Sequence, residues 1–125
     1  MPKMDNSDVP SFDLIPGVIF TPVAAPSRGT TENAVWRTRV EPHQPGALHH
    51  MTREEIIVGL SGAAEIRLDG ERHRLAPGDA FAVPAFTDFV LECAGDVPFE
   101  AMVVLPAGGR AVIGGQPSFR PAWSV

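Results

Sequence analysis

The segment Gly46-Ala47-Leu48-His49-His50-Met51-Thr52-Arg53-Glu54-Glu55 brings two imidazoles and a pair of carboxylates into one short stretch of chain. Imidazole nitrogens and carboxylate oxygens are the donors that a divalent metal takes. They are also the partners that general acid–base catalysis needs. An apolar run, Ile56 to Leu60, follows and closes at Ser61-Gly62, the pattern of a buried strand ending in a turn. Outside this segment, His43 in a proline-rich loop and His73 on a hairpin arm read as surface residues. Cys93, the lone cysteine, reads as a small buried hydrophobe. One cysteine excludes an intrachain disulfide, which fits a reducing compartment.

The elements that must position these groups are short strands. Glycine and proline, 12 and 13 of the 125 residues, leave no room for long helices, and no segment sustains a 3.6-residue apolar period. Strands are expected at 18–23, 33–40, 47–51, 54–60, 63–68, 71–75, 80–83, 89–93 and 99–105. Asp69-Gly70 between two of them is the strongest short-range hairpin signal. Successive side chains of a strand point to opposite faces, so Trp36, Thr38 and Val40 should face inward, with Arg37 and Arg39 outward. Eight to ten short strands at regular spacing argue a sandwich or barrel.

Apolar residues make up 44% and charged residues 20% of the chain, with a net charge of −5. These are ordinary values for one globular domain. The basic residues form no run, so neither nucleic acid nor an anionic membrane surface is expected as a partner. No apolar stretch reaches membrane-spanning length and the N-terminus lacks a signal-peptide core, so the expected location is the cytoplasm. Residues 1–13 read as a flexible tail, 14–110 as the domain, and 111–125 as a C-terminal tail packing on it or on a second subunit through Trp123.

Taken together, these residues resemble the cupin superfamily, whose small jelly-roll β-barrels carry a two-part motif. Glu55, six residues and Gly62 match the end of the first part. Gly78, five residues and Pro84 match the start of the second, with the Asp69-Gly70 hairpin between. The resemblance covers about Val35 to Leu105. It implies an all-β, single-domain barrel of short antiparallel strands, and a homodimer. Strand 54–60, apolar on both faces beyond Glu55, is consistent with cover from another sheet or chain.

The departures bear on function. In cupins two histidines, the glutamate and a later histidine usually bind one metal. Here the later histidine falls on Phe89, the following asparagine on Cys93, and the glycine after Pro84 on Phe86. Only one histidine of the pair is in register: a three-residue spacing to Glu55 selects His49 with Met51, a four-residue spacing selects Leu48 with His50, and the reading leans to His49. His49, His50 and Glu55 are the metal candidates for a divalent Zn, Fe, Mn or Ni ion. One histidine and Glu55 fall short of a full set unless a bulge turns both rings inward or Cys93 joins. The implied cavity is lined by Trp36, Thr38, His49, Met51, Glu55, Phe89, Leu91, Cys93 and Met102. An unpaired Glu55 in so apolar a wall must pair or protonate, and the adjacent histidine is the natural partner. Three functions follow, in this order. The first is binding of a small, partly apolar molecule without a full metal site. The second is a cupin enzyme of isomerase or oxygenase type, with or without metal, using His49 or His50 with Glu55. The third is a dimerising structural module with a filled barrel.

Overall fold

The structure is a computed structural model that describes residues 2–125. Ten strands follow one another: β1 (Val18–Ala24), β2 (Asn33–Val40), β3 (His49–Met51), β4 (Glu55–Ser61), β5 (Ala64–Leu68), β6 (Glu71–Leu75), β7 (Ala80–Val83), β8 (Val90–Cys93), β9 (Phe99–Pro106) and β10 (Ala111–Ile113). One antiparallel sheet has the order β1-β2-β9-β4-β7. The two-stranded β10-β3 and the three-stranded β6-β5-β8 form the other layer, joined where the backbones of His49 and Phe89 exchange hydrogen bonds of 3.1 and 2.8 Å. This is the all-β jelly-roll expected from strand rhythm and motif spacing.

Alternation does most of the positioning. In β2, Ala34, Trp36, Thr38 and Val40 are buried while Arg37 and Arg39 are exposed, so the apolar face meets the core. In β9 the buried set is Phe99, Ala101, Val103 and Leu105. Met102 therefore points outward, between Arg37 and Val58 on the neighbouring strands, which corrects its expected place in the cavity. Glu100 shares this outer face with Met102, so the one charged residue of β9 marks the parity that the register Trp36↔Val103 bears out.

Three turns fix the strand order. Asp69 and Gly70 have φ of 50° and 75°, the pairing of positive values that closes a two-residue hairpin. Gly62, at φ 70°, ends β4 against the carbonyl of Pro98, where a Cβ would collide. Phe86, in the slot where the cupin motif has glycine, adopts the left-handed conformation itself, with φ 59° and 69% of its surface exposed.

Both chain ends are fastened to the domain. Phe12 exchanges two 2.8 Å backbone hydrogen bonds with Phe20, and the Arg28 guanidinium donates to the Asp5 carbonyl at 2.7 Å and to Asn6. The stretch read as a flexible tail is thus anchored at its far end and near its middle. At the C-terminus a 3-10 helix, Ala122–Ser124, seats Trp123 face to face on Phe20 at 3.9 Å and edge-on to Trp36 at 6.4 Å.

Candidate functional site

The inner faces of the two layers enclose a chamber of about 80 Å3. The five-stranded sheet contributes Trp36 and Thr38 from β2, Val103 from β9, and Glu55 and Ile57 from β4. The other layer contributes His49 and Met51 from β3, with Phe89 and Leu91 beside them. Leu14, Ile15, Phe119, Pro121 and Trp123, from the two chain ends, complete the wall.

Because β3 alternates like any strand, it separates the two histidines. His49 and Met51 face the chamber, while His50 turns outward and donates from Nδ1 to Asp88 Oδ1 at 2.9 Å. A trio of His49, His50 and Glu55 is therefore not assembled, and the bulge that would have turned both rings inward is not formed. Cys93 is corrected as well. It shares parity with Leu91, but it sits at the end of β8 opposite Ala64, past the chamber. Its Sγ–H donates to the Val97 carbonyl at 3.0 Å. Trp36, Thr38, His49, Met51, Glu55, Phe89 and Leu91 are brought together around the chamber, and His50, Cys93 and Met102 are not.

Glu55 is the unusual group. It is only 6% exposed, and among the described residues nothing hydrogen-bonds its carboxyl. With burial unopposed by any donor or cation, its pKa is pushed up to about 8. At neutral pH it is a neutral carboxylic acid. His49 is neutral too, for the complementary reason: burial holds its pKa below the ordinary imidazole value, against the upward pull of the Ala47 carbonyl and of Asp88. Its Nδ1–H donates to the Ala47 carbonyl at 2.8 Å, which leaves Nε2 with the lone pair. Its ring lies 4.2 Å from that of Phe89.

The metal implied by the cupin resemblance does not fit these residues. His49 and Glu55 supply two donors where catalytic zinc keeps three protein ligands. Buried Phe89, 1% exposed, occupies the slot of the missing histidine. Among the described residues, no three His, Cys, Asp or Glu side chains converge.

Sequence reasoning missed much of the wall. Phe20 and Ile57 could have been found by parity with Val18 and Glu55. Leu14, Ile15, Phe119 and Pro121 lie in irregular segments remote in sequence, where no period marks them, and Trp123, expected to pack on the domain or a second subunit, packs on the domain and closes the chamber.

The fold and the motif geometry define a cupin. The family model described as the cupin domain matches residues 36–105, more than half of the chain, and the protein belongs to that family. No curated protein matches the sequence. Among solved structures, a polyketide cyclase from Streptomyces resistomycificus is similar at a TM-score of 0.77 and 17% identity, over 98% of this chain and 88% of that one. A sugar phosphate isomerase from a cupin superfamily, from Silicibacter pomeroyi, is similar at a TM-score of 0.71 and 20% identity, over 92% and 83% of the two chains. Salicylate 1,2-dioxygenase from Pseudoaminobacter salicylatoxidans gives 0.69 and 19%, over 82% of this chain. The chain spans about a third of that dioxygenase, 32% of its length. At these identities the likeness is one of fold.

Proposed function

We propose that this cupin binds a small, largely apolar molecule in its chamber and holds one polar group of it against Glu55 and His49, without a metal. The observation that carries the reading is the unpaired Glu55 carboxyl in an otherwise apolar wall. A buried polar group without a partner costs about 1–3 kcal/mol, and a guest that hydrogen-bonds to it recovers part of that cost. The salicylate, gentisate and sugar phosphate named for the structural neighbours carry anionic groups. No Lys or Arg lines this chamber, so such guests have no cation to meet.

Titration with toluene, followed by the methyl NMR signals of Ile57 and Val103, tests the reading. Saturable shifts confined to chamber residues, abolished by Val103→Phe, are expected. No shift at saturating toluene or at saturating isobutene, a smaller apolar probe, would instead make the interior a filled structural core, with Trp36, Phe89 and Trp123 there for packing alone.

One observation favours a second reading, metal-free proton transfer. A neutral acid and a neutral base face the same water-poor chamber, the division of roles that acid–base enzymes set up by pushing two pKa values apart. Hydrogen–deuterium exchange at the α-carbon of a bound ketone, lost in both Glu55→Gln and His49→Gln, would separate catalysis from binding.

Association as a homodimer belongs to the same proposal. Ile56, Val58, Met102 and Val104 form a half-buried apolar strip on the outer face of the larger sheet, and sedimentation equilibrium of Val58→Lys against the parent chain tests it.

A further inference from the structure

The chamber's few polar groups describe the guest. The Glu55 carboxyl, the Thr38 hydroxyl and His49 Nε2 belong to residues that line it, and none has a hydrogen-bond partner among the described residues. The indole N–H groups of Trp36 and Trp123 also lack an acceptor, but they are sealed within the wall, out of a guest's reach. A neutral carboxylic acid and a hydroxyl each carry a proton to give as well as lone pairs that accept. The Glu55 O–H therefore waits for an acceptor that a guest can bring. No cation lines the chamber, so an anion would lose its hydration with nothing to replace it. A cationic guest would have to draw Glu55 into its ionised form, against the burial that keeps this carboxyl neutral.

Size narrows the class further. The chamber of about 80 Å3 is smaller than the ~150 Å3 apolar cavity that takes benzene. The guest is therefore no larger than one ring or a short branched chain, and the wall must yield a little. Leu14, 58% exposed, lies on the segment best able to do so.

From these groups, and resting on the binding reading above, we infer that the chamber takes an uncharged guest of at most one ring bearing an oxygen that accepts a hydrogen bond from Glu55.

Four probes of matched size test the inference by chamber-methyl NMR titration at pH 6.5: acetophenone, its oxygen-free isostere α-methylstyrene, benzoate and benzylammonium. Acetophenone should bind at least fivefold more tightly than α-methylstyrene, the discrimination that one neutral hydrogen bond supports. It should bind at least tenfold more tightly than either ion. In Glu55→Met the ketone and the alkene should bind within twofold of each other, with alkene binding retained. Benzoate or benzylammonium binding as tightly as acetophenone would overturn the inference and leave the binding reading standing, and so would a ketone preference that survives Glu55→Met. Failure of all four probes, and of the smaller acetone and isobutene, to bind would overturn both.

Discussion

Replacing Glu55 by methionine should stabilise the protein, and the gain should grow with pH in a way fixed by the chamber. The unfolded chain holds this carboxyl near its ordinary pKa of 4.5, and the folded chain raises it to about 8. Folding at neutral pH must therefore recapture a proton that the unfolded chain has released. The sign follows: the stability of the parent chain is fully present below about 4.5, falls as pH rises, and levels off above about 8. Each pH unit in that window is worth ~1.4 kcal/mol, so the loss at pH 7 is about 3 kcal/mol. Methionine conserves volume, suits the apolar wall and carries no proton. Urea unfolding at pH 5, 7 and 8.5, read by the fluorescence of buried Trp36 and Trp123, measures the gap between variant and parent. His49, whose pKa burial lowers, is common to both proteins, so the difference isolates Glu55. The gap should widen by about 4 kcal/mol between pH 5 and 8.5. A gap independent of pH, or a methionine variant less stable than the parent at pH 7, would refute the reasoning.

Other substitutions probe the surroundings. His49→Gln should make the protein more resistant to acid, because a depressed imidazole pKa costs stability as pH falls through and below the ordinary value near ~6.5; thermal midpoints at pH 5 and 7 would show it. Phe86→Gly should stabilise by about 1 kcal/mol in urea unfolding, since glycine relieves the left-handed backbone at φ 59° and the exposed ring gives up little packing. Gly62→Ala should destabilise by about 3 kcal/mol, because its Cβ meets the Pro98 carbonyl at a positive φ. Trp123→Ala should cost about 3–5 kcal/mol and enlarge the chamber enough for toluene to bind more tightly, as NMR titration would report.

What the sequence disclosed follows from what each signal physically encodes. Asp69-Gly70 and the spacing from Glu55 to Gly62 mark places where the backbone must turn, and turn chemistry is local. The alternation of Trp36, Thr38 and Val40 with arginines was legible because one face of β2 is polar. The parity of Met102 was carried by Glu100 alone, a single charge in an otherwise apolar β9, and the pairing with β2 bears it out. His49 and His50 pose a different difficulty. Their facing depends on β3 pairing with β10, a strand of three residues that composition does not announce. Cys93 shows the limit of parity itself, which gives the face of a strand but not where a cavity ends. The plug made by Phe12, Phe20 and Trp123 joins segments far apart in the chain, and nothing local to any one of them foretells the meeting.

The protonation state of one carboxyl decides what the chamber can hold. Carbon-13 NMR of the protein labelled at the glutamate side-chain carboxyls, with Glu55 identified by its absence in Glu55→Gln, follows that group directly. A signal characteristic of the neutral acid at pH 6, titrating near pH 8 and unmoved by one equivalent of zinc, is predicted. A Glu55 signal already that of a carboxylate at pH 6, or one that zinc shifts stoichiometrically, would contradict it.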